Sequence, residues 1–145
     1  MSDKLFSYLK YEQSLLGELI ELAEKQQQSL VKFDTAMLQE AARQQLNLSQ
    51  ALREAEERRI KLISNWLGIS RAEAQKLKLS NLESYFTGEE LSEIVRLRKE
   101  LKSLLNKLNS VNLTNRVLAN RARRSVQEVL QIITNGGNHF YNVKV

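Results

Sequence analysis

The ionisable side chains of this chain form no pattern that would support catalysis or metal binding. Its one histidine, His139, stands beside Phe140 with no serine or acid fixed around it, which is typical of an exposed side chain. Glu56 and Glu57 are adjacent rather than one helical turn apart, and no Glu-x-x-His spacing occurs. No Gly-rich loop opens a helix where it could hold phosphate. The sequence therefore predicts no enzymatic activity, no metal site and no cofactor.

Several polar residues instead occupy positions that a helical pattern reserves for apolar ones. Glu12 and Arg59 do so in successive segments, and we expect them to form a partly buried ion pair that fixes helix register more than it stabilises the fold. Four asparagines recur at intervals of three: Asn106, Asn109, Asn112 and Asn115. Buried amides need hydrogen-bond partners. These asparagines therefore predict either register-setting contacts, with Asn115 among them, or hydrogen bonds to a bound peptide.

The composition favours an all-α fold. The chain has no proline, 5 glycines and 6% aromatic residues, whereas good helix formers dominate. A hydrophobic content of 42% can supply a narrow apolar seam but not a thick core. We therefore predict an elongated antiparallel helical hairpin or bundle. It has two helices in the N-terminal half, short helical segments and one very long C-terminal helix.

Local signals divide the chain into these helices. A first amphipathic helix is predicted over about residues 3–29. Asp34 can cap a second helix, with Phe33 and Leu38 as a hydrophobic staple. One unbroken rod through residues 31–33 is the alternative. Gly68 should end the second helix in a left-handed cap.

The second half is predicted to contain short helices and then the long one. Ser70 and Glu73 have capping-box spacing and open a short helix near residues 71–77. A further helical turn and a loop fit residues 80–88. The long helix should span residues 89–134 and stop at Asn135-Gly136-Gly137. Residues 1–137 are thus predicted to form a single helical domain, and residues 138–145 a flexible tail.

The features that the sequence lacks predict its compartment, and its charge distribution bears on the class of partner. There is no cysteine, no signal-peptide pattern at the N-terminus and no apolar run long enough for a membrane span, so a cytoplasmic protein without membrane insertion is expected. Residues 1–70 carry a net charge of −1 and residues 71–145 of +6.

The basic patch Arg116, Arg121, Arg123 and Arg124 raises the alternative of a helical nucleic-acid-binding protein. Neither a helix-turn-helix pattern nor an aromatic platform accompanies this patch, so nucleic acid is not the expected partner. A structural coiled-coil homodimer is the other alternative.

Taken in order, these features resemble the flagellar export chaperones of the FlgN type, over nearly the whole chain. The resemblance rests on Asp34 with Leu38, on Glu56-x-x-Arg59 followed by Leu62 and Leu67-Gly68, and on Asn112-x-x-Asn115-Arg116-x-Leu118. It implies a cytoplasmic type III export chaperone. Such a chaperone binds C-terminal amphipathic helical segments of hook-associated (hook–filament junction) proteins, prevents their premature assembly and delivers them to the export gate. Phe33 departs from the family, which often has glycine there. The family's C-terminal tail tends to carry a tyrosine followed within a few residues by glycine. Tyr141 fits this pattern, but no glycine follows it in this chain.

We assign client binding to a second ridge beside the seam of the long helix. The predicted client-binding residues are Asn112, Leu113, Arg116, Val117, Val126, Leu130 and Ile133. The alternative is that this ridge packs on the chain's own first helix or on a second copy. Phe140 and Tyr141 in the polar tail resemble a short docking motif for the export apparatus, although an idle, disordered tail is equally compatible with the sequence.

Overall fold

Five α-helices and a short 3₁₀ turn make up the computed structural model, which describes the backbone of residues 1–144 and the side chains of residues 1–132. The helices are α1 (Ser2–Lys32), α2 (Thr35–Leu67), α3 (Arg71–Lys76), α4 (Leu79–Leu82) and α5 (Gly88–Lys144), and the 3₁₀ turn is Glu83–Tyr85. This order confirms the predicted all-α fold with two helices in the N-terminal half, short segments and a very long last helix.

Helix α1 is the packing centre of the fold, because it lies along both α2 and α5. Its apolar residues recur at three-to-four spacing and give it a stripe wide enough for two neighbours. The core includes Leu5, Leu9 and Leu19 of α1, Ile63 of α2, and Leu97 of α5. Helix α2 runs antiparallel to α1, whereas α5 runs parallel to it. The parallel direction follows from hydrogen bonds that Gln13 donates to Glu100 at 2.6 Å and that Asn115 donates to Ala23 at 2.7 Å.

The chain reverses direction at Phe33, which confirms the predicted turn and excludes the unbroken rod. Phe33 adopts the left-handed conformation with φ 54°, and its N–H and that of Asp34 bond to the last carbonyls of α1. The Asp34 carboxylate accepts a 3.1 Å hydrogen bond from the Met37 N–H, so it caps α2 as predicted. Glycine adopts a positive φ without steric strain, which accounts for its frequent place before the aspartate in the resembling family.

The short segments close the opposite end of the molecule. Gly68 ends α2 with φ 65°, and the Ser70 hydroxyl accepts a 3.1 Å hydrogen bond from the Glu73 N–H, so both predicted caps are confirmed. The ring of Phe86 packs between those of Phe6 and Trp66, with centroids 5.7 Å and 5.6 Å apart. This aromatic cluster fixes the start of α5 against α1 and α2.

Helix α5 is longer than the sequence predicted. It continues through Asn135-Gly136-Gly137 to Lys144, so the predicted stop at Thr134 is wrong. A glycine inside a helix lowers stability by only about 1 kcal/mol and does not break the hydrogen-bond ladder, as proline would. The boundary predicted at residue 137 therefore has no break in the helix, while the flexibility of residues 138–145 remains a prediction.

Candidate functional site

The C-terminal part of α5 carries a row of exposed apolar side chains. We call it the distal surface and define it as Val126, Val129, Leu130 and Ile132, which are between 53% and 71% exposed. At about 100° per residue they share one side of α5. The same side carries Leu118 and Ala122 one to two turns earlier, where both are half-buried. The distal surface is thus the continuation of the buried seam.

A difference in helix length exposes this continuation. The 57 residues of α5 extend about 86 Å, whereas the 31 residues of α1 extend about 46 Å. Both helices start at the same end of the molecule, so α1 stops beside residues 122–127 of α5. Val129 and Ile132 continue the apolar spacing of the α5 seam, but α1 does not reach them and they are exposed. Comparing the two predicted helix lengths would have revealed this, because a seam needs a partner along its whole length.

The predicted client-binding residues do not form one ridge. Leu113 and Val117 are exposed, but Val117 lies about 180° around the helix from Val126. Arg116 is exposed and Asn112 half-buried. Val117 therefore lies on the opposite side of α5 from Val126, and Leu113 lies about 100° around the helix from Leu130. The side chain of Ile133 lies outside the described residues, as do those of Phe140 and Tyr141.

Asn115 is the one asparagine of the predicted run that is buried. Its side-chain N–H group donates to the Ala23 carbonyl oxygen at 2.7 Å, so this amide bonds to the backbone of a neighbouring helix. Its own Oδ1 is buried without a hydrogen-bond partner among the described residues. Asn115 therefore contacts α1 at Ala23. Its role in setting the register between α1 and α5 stays a prediction.

The predicted ion pair between Glu12 and Arg59 is present. Arg59 Nε donates to both carboxylate oxygens of Glu12, at 2.8 Å and 3.1 Å. Burial raises the pKa of the Glu12 carboxyl above its ordinary value, and the attraction of Arg59 opposes this only in part. Gln26 and Gln45 are joined by a second polar contact between α1 and α2, 2.8 Å long. Both contacts mark the same antiparallel register.

Basic side chains precede the distal surface along α5. Arg116, Arg121, Arg123 and Arg124 are all exposed. Between Glu100 and Ile132, the only acidic residue is Glu128. In the part of the chain with described side chains, all eight ion pairs involve other residues. This end of α5 therefore presents apolar side chains within an uncompensated positive charge.

Two kinds of site are absent from the described residues. They contain no group of three or more histidine, cysteine, aspartate or glutamate side chains that could hold a metal ion. No helix within residues 1–144 is both long and apolar enough to cross a membrane.

Comparison with known proteins places the whole arrangement in one family. The family model described as FlgN protein matches residues 1–144. No curated protein matches the chain, and no solved structure does. The family is one of chaperones rather than enzymes. Because the match covers all but the last residue, this chain belongs to the FlgN family of flagellar export chaperones.

Proposed function

We propose that this chain acts in the cytoplasm and binds the C-terminal amphipathic helices of hook-associated proteins. In this proposal, bound client cannot assemble prematurely and is handed to the export gate. The observation that carries the proposal is the distal surface of α5. Amphipathic helices bind where an apolar groove or ridge lacks a partner of its own. The described part of the chain leaves such a seam uncovered. Because the chain belongs to a family of export chaperones, a client helix is the partner that we assign to this seam.

Calorimetric titration with C-terminal helical peptides of the same organism's hook-associated proteins tests the proposal directly. We expect binding with a negative heat-capacity change, because apolar surface is buried. Val126→Asp with Leu130→Asp should weaken binding by about 100-fold or more, since two charges would enter the contact. Leu46→Asp is the matched control, because Leu46 is an equally exposed apolar residue on α2. Binding that survives the distal double substitution would contradict the proposal.

The rest of the predicted client-binding site needs its own variant. Leu113→Asp with Val117→Asp places two charges on the other side of α5. An equal loss of affinity would extend the client contact around the helix, as the sequence predicted. Retained affinity would restrict the contact to the distal surface. Circular dichroism should show unchanged helicity in both double variants, since all four positions are exposed.

The same titrations distinguish the two alternatives. A nucleic-acid-binding protein would bind duplex or single-stranded DNA with a steep dependence on salt concentration. A homodimer that covers its own distal surface would show a concentration-dependent mass, which Val126→Asp with Leu130→Asp would abolish. Peptide binding by a monomer contradicts both alternatives.

Docking on the export apparatus is proposed for the C-terminal segment. Phe140 and Tyr141 are the residues that we assign to this contact. Deleting residues 138–145 should leave peptide affinity unchanged and reduce export of the hook-associated proteins. Normal export by the deletion variant would show that the segment has no docking role.

A further inference from the structure

The reversal of the chain at Phe33 combines backbone strain with exposure. Phe33 is the one non-glycine residue with a positive φ in the described backbone, whereas Gly68 and Gly88 occupy the other such positions. A residue with a Cβ is disfavoured in this conformation, and such strain persists only where something compensates for it. The ring is 63% exposed, so burial in the chain's own core supplies little compensation.

A cavity of about 300 Å³ lies between this turn and α5. Its lining is almost wholly apolar and includes Leu30, Phe33, Leu38, Ala122 and Val126. The two residues predicted as a hydrophobic staple, Phe33 and Leu38, thus border an open space. Val126 lines this cavity and also begins the distal surface. The cavity is therefore continuous with the surface to which client binding is assigned.

The charge around the cavity indicates what kind of partner fits. Arg123 lines it, and Arg121 and Arg124 are exposed on the same turn of α5. Asp34 keeps its negative charge while it caps α2, but together with Glu128 it leaves these three arginines in excess. An apolar cavity with a positive rim suits an apolar side chain that projects from an acidic segment. A nucleic acid could use the positive charge, but it has no aliphatic group to fill the cavity.

We infer that the α1–α2 turn is a second wall of the client site. Phe33 and the cavity beside it receive an apolar side chain from an acidic amphipathic client helix lying along the distal surface. This inference rests on the proposed function and adds to it the turn and the charge of the client. The backbone hydrogen bonds of the turn hold Phe33 in its strained conformation, and a bound client would cover its exposed ring.

Replacing Phe33 with glycine separates the two effects of this residue. Phe33→Gly relieves the backbone strain, so thermal unfolding should occur at the same or a higher temperature. It also removes the ring, so we expect about tenfold weaker binding of the C-terminal peptide of a hook-associated protein. Phe33→Leu, which keeps an apolar side chain, should restore most of the affinity. Val31→Ala is the control, because Val31 is as exposed as Phe33 but does not line this cavity.

The charge of the client is tested with two designed peptides. One is an amphipathic helix with glutamates on its polar face, and the other has lysines at the same positions. The full-length protein should bind the acidic peptide at least about tenfold more tightly at low salt, and Phe33→Gly should reduce this binding.

Equal affinity of the wild type and Phe33→Gly for every peptide would overturn the inference and leave the proposed function intact. Preference for the lysine peptide would overturn the acidic-client part. A wild type that binds DNA but no helical peptide would overturn the proposed function as well.

Discussion

The ion pair between Glu12 and Arg59 offers a quantitative test of how α1 and α2 are held together. The test compares Arg59→Met alone, Glu12→Met alone and the double variant. Glu12 keeps 5% of its side-chain exposure and Arg59 keeps 19%. Removing Arg59 therefore leaves a carboxylate buried between helices without its cation, whereas removing both residues leaves two apolar side chains.

The expected magnitudes follow from this burial. Breaking a fully buried ion pair by removing one partner lowers the free energy of unfolding by about 3–5 kcal/mol. Because Arg59 is partly exposed, we expect a smaller loss of about 2–3 kcal/mol for Arg59→Met at neutral pH. The double variant should lie within about 1 kcal/mol of the wild type, or above it, because no ion remains to be desolvated. On these expectations the pair contributes little net stability, and its role in fixing register stays a prediction.

The pKa of Glu12 gives the pH dependence of this loss. Burial raises that pKa, Glu56 raises it slightly further and Arg59 lowers it. A carboxyl whose pKa is raised on folding contributes stability below its unfolded pKa and loses it as pH rises through the folded value. Removing Arg59 raises the pKa of Glu12 more. The deficit of Arg59→Met should therefore be largest at neutral pH and shrink as the pH falls through the raised pKa of Glu12, so that it is small at pH 4, where the carboxyl is already protonated.

Urea unfolding followed by circular dichroism measures all four proteins at both pH values. The three variants complete a double-mutant cycle, so the interaction between the two side chains is obtained separately from their individual effects. A single Arg59→Met variant as stable as the wild type at neutral pH would refute the argument from burial. A double variant as unstable as Arg59→Met would refute the view that desolvation offsets the attraction.

Further predictions concern α5. Asn115→Leu should lower the free energy of unfolding by less than about 1 kcal/mol, or raise it. One hydrogen bond is lost, but a leucine is buried and an unpartnered oxygen is removed. Urea unfolding measures this change, and a loss above about 2 kcal/mol would contradict the prediction. Backbone amides of residues 128–144 should exchange with solvent much faster than those near Leu101, because α1 does not cover them. A bound client peptide should slow this exchange. Equal protection of the two regions without peptide would contradict the prediction. Gly136→Pro should decrease helicity by circular dichroism, since proline inside a helix costs about 3 kcal/mol and removes a backbone hydrogen bond, and unchanged helicity would contradict a helix through this position.

The sequence predicted those parts of the fold that are determined locally. Asp34, Gly68 and Ser70 end or begin helices through hydrogen bonds and dihedral angles that involve only their neighbours. The end of α5 was wrong because glycine lowers helix propensity without forbidding a helix. The Glu12–Arg59 pair was predictable because each charge interrupts an apolar stripe and the turn at Phe33 fixes their approximate register.

The exposure of the distal surface could not be read from periodicity alone. Val111 and Val129 have the same place in the repeat, yet one is half-buried and the other 53% exposed. The difference depends on where α1 ends, which is a property of another helix. The cavity beside Phe33 is even harder to predict from the sequence, because it depends on the relative positions of three helices and on a strained dihedral angle.

The proposed client contact extends the packing that already holds the chain together. Along α5, the residues before the α1–α2 turn have their seam covered by α1. Beyond the turn, from Val126 onward, the same seam is exposed. A client helix on the distal surface would continue the line of α1 along α5, with the turn at Phe33 between the two. The geometry that buries Leu97 and Leu101 against α1 would then also bury Val129 and Ile132 against the client. On this view the chaperone binds its client by extending its own α1–α5 packing with a helix from another protein.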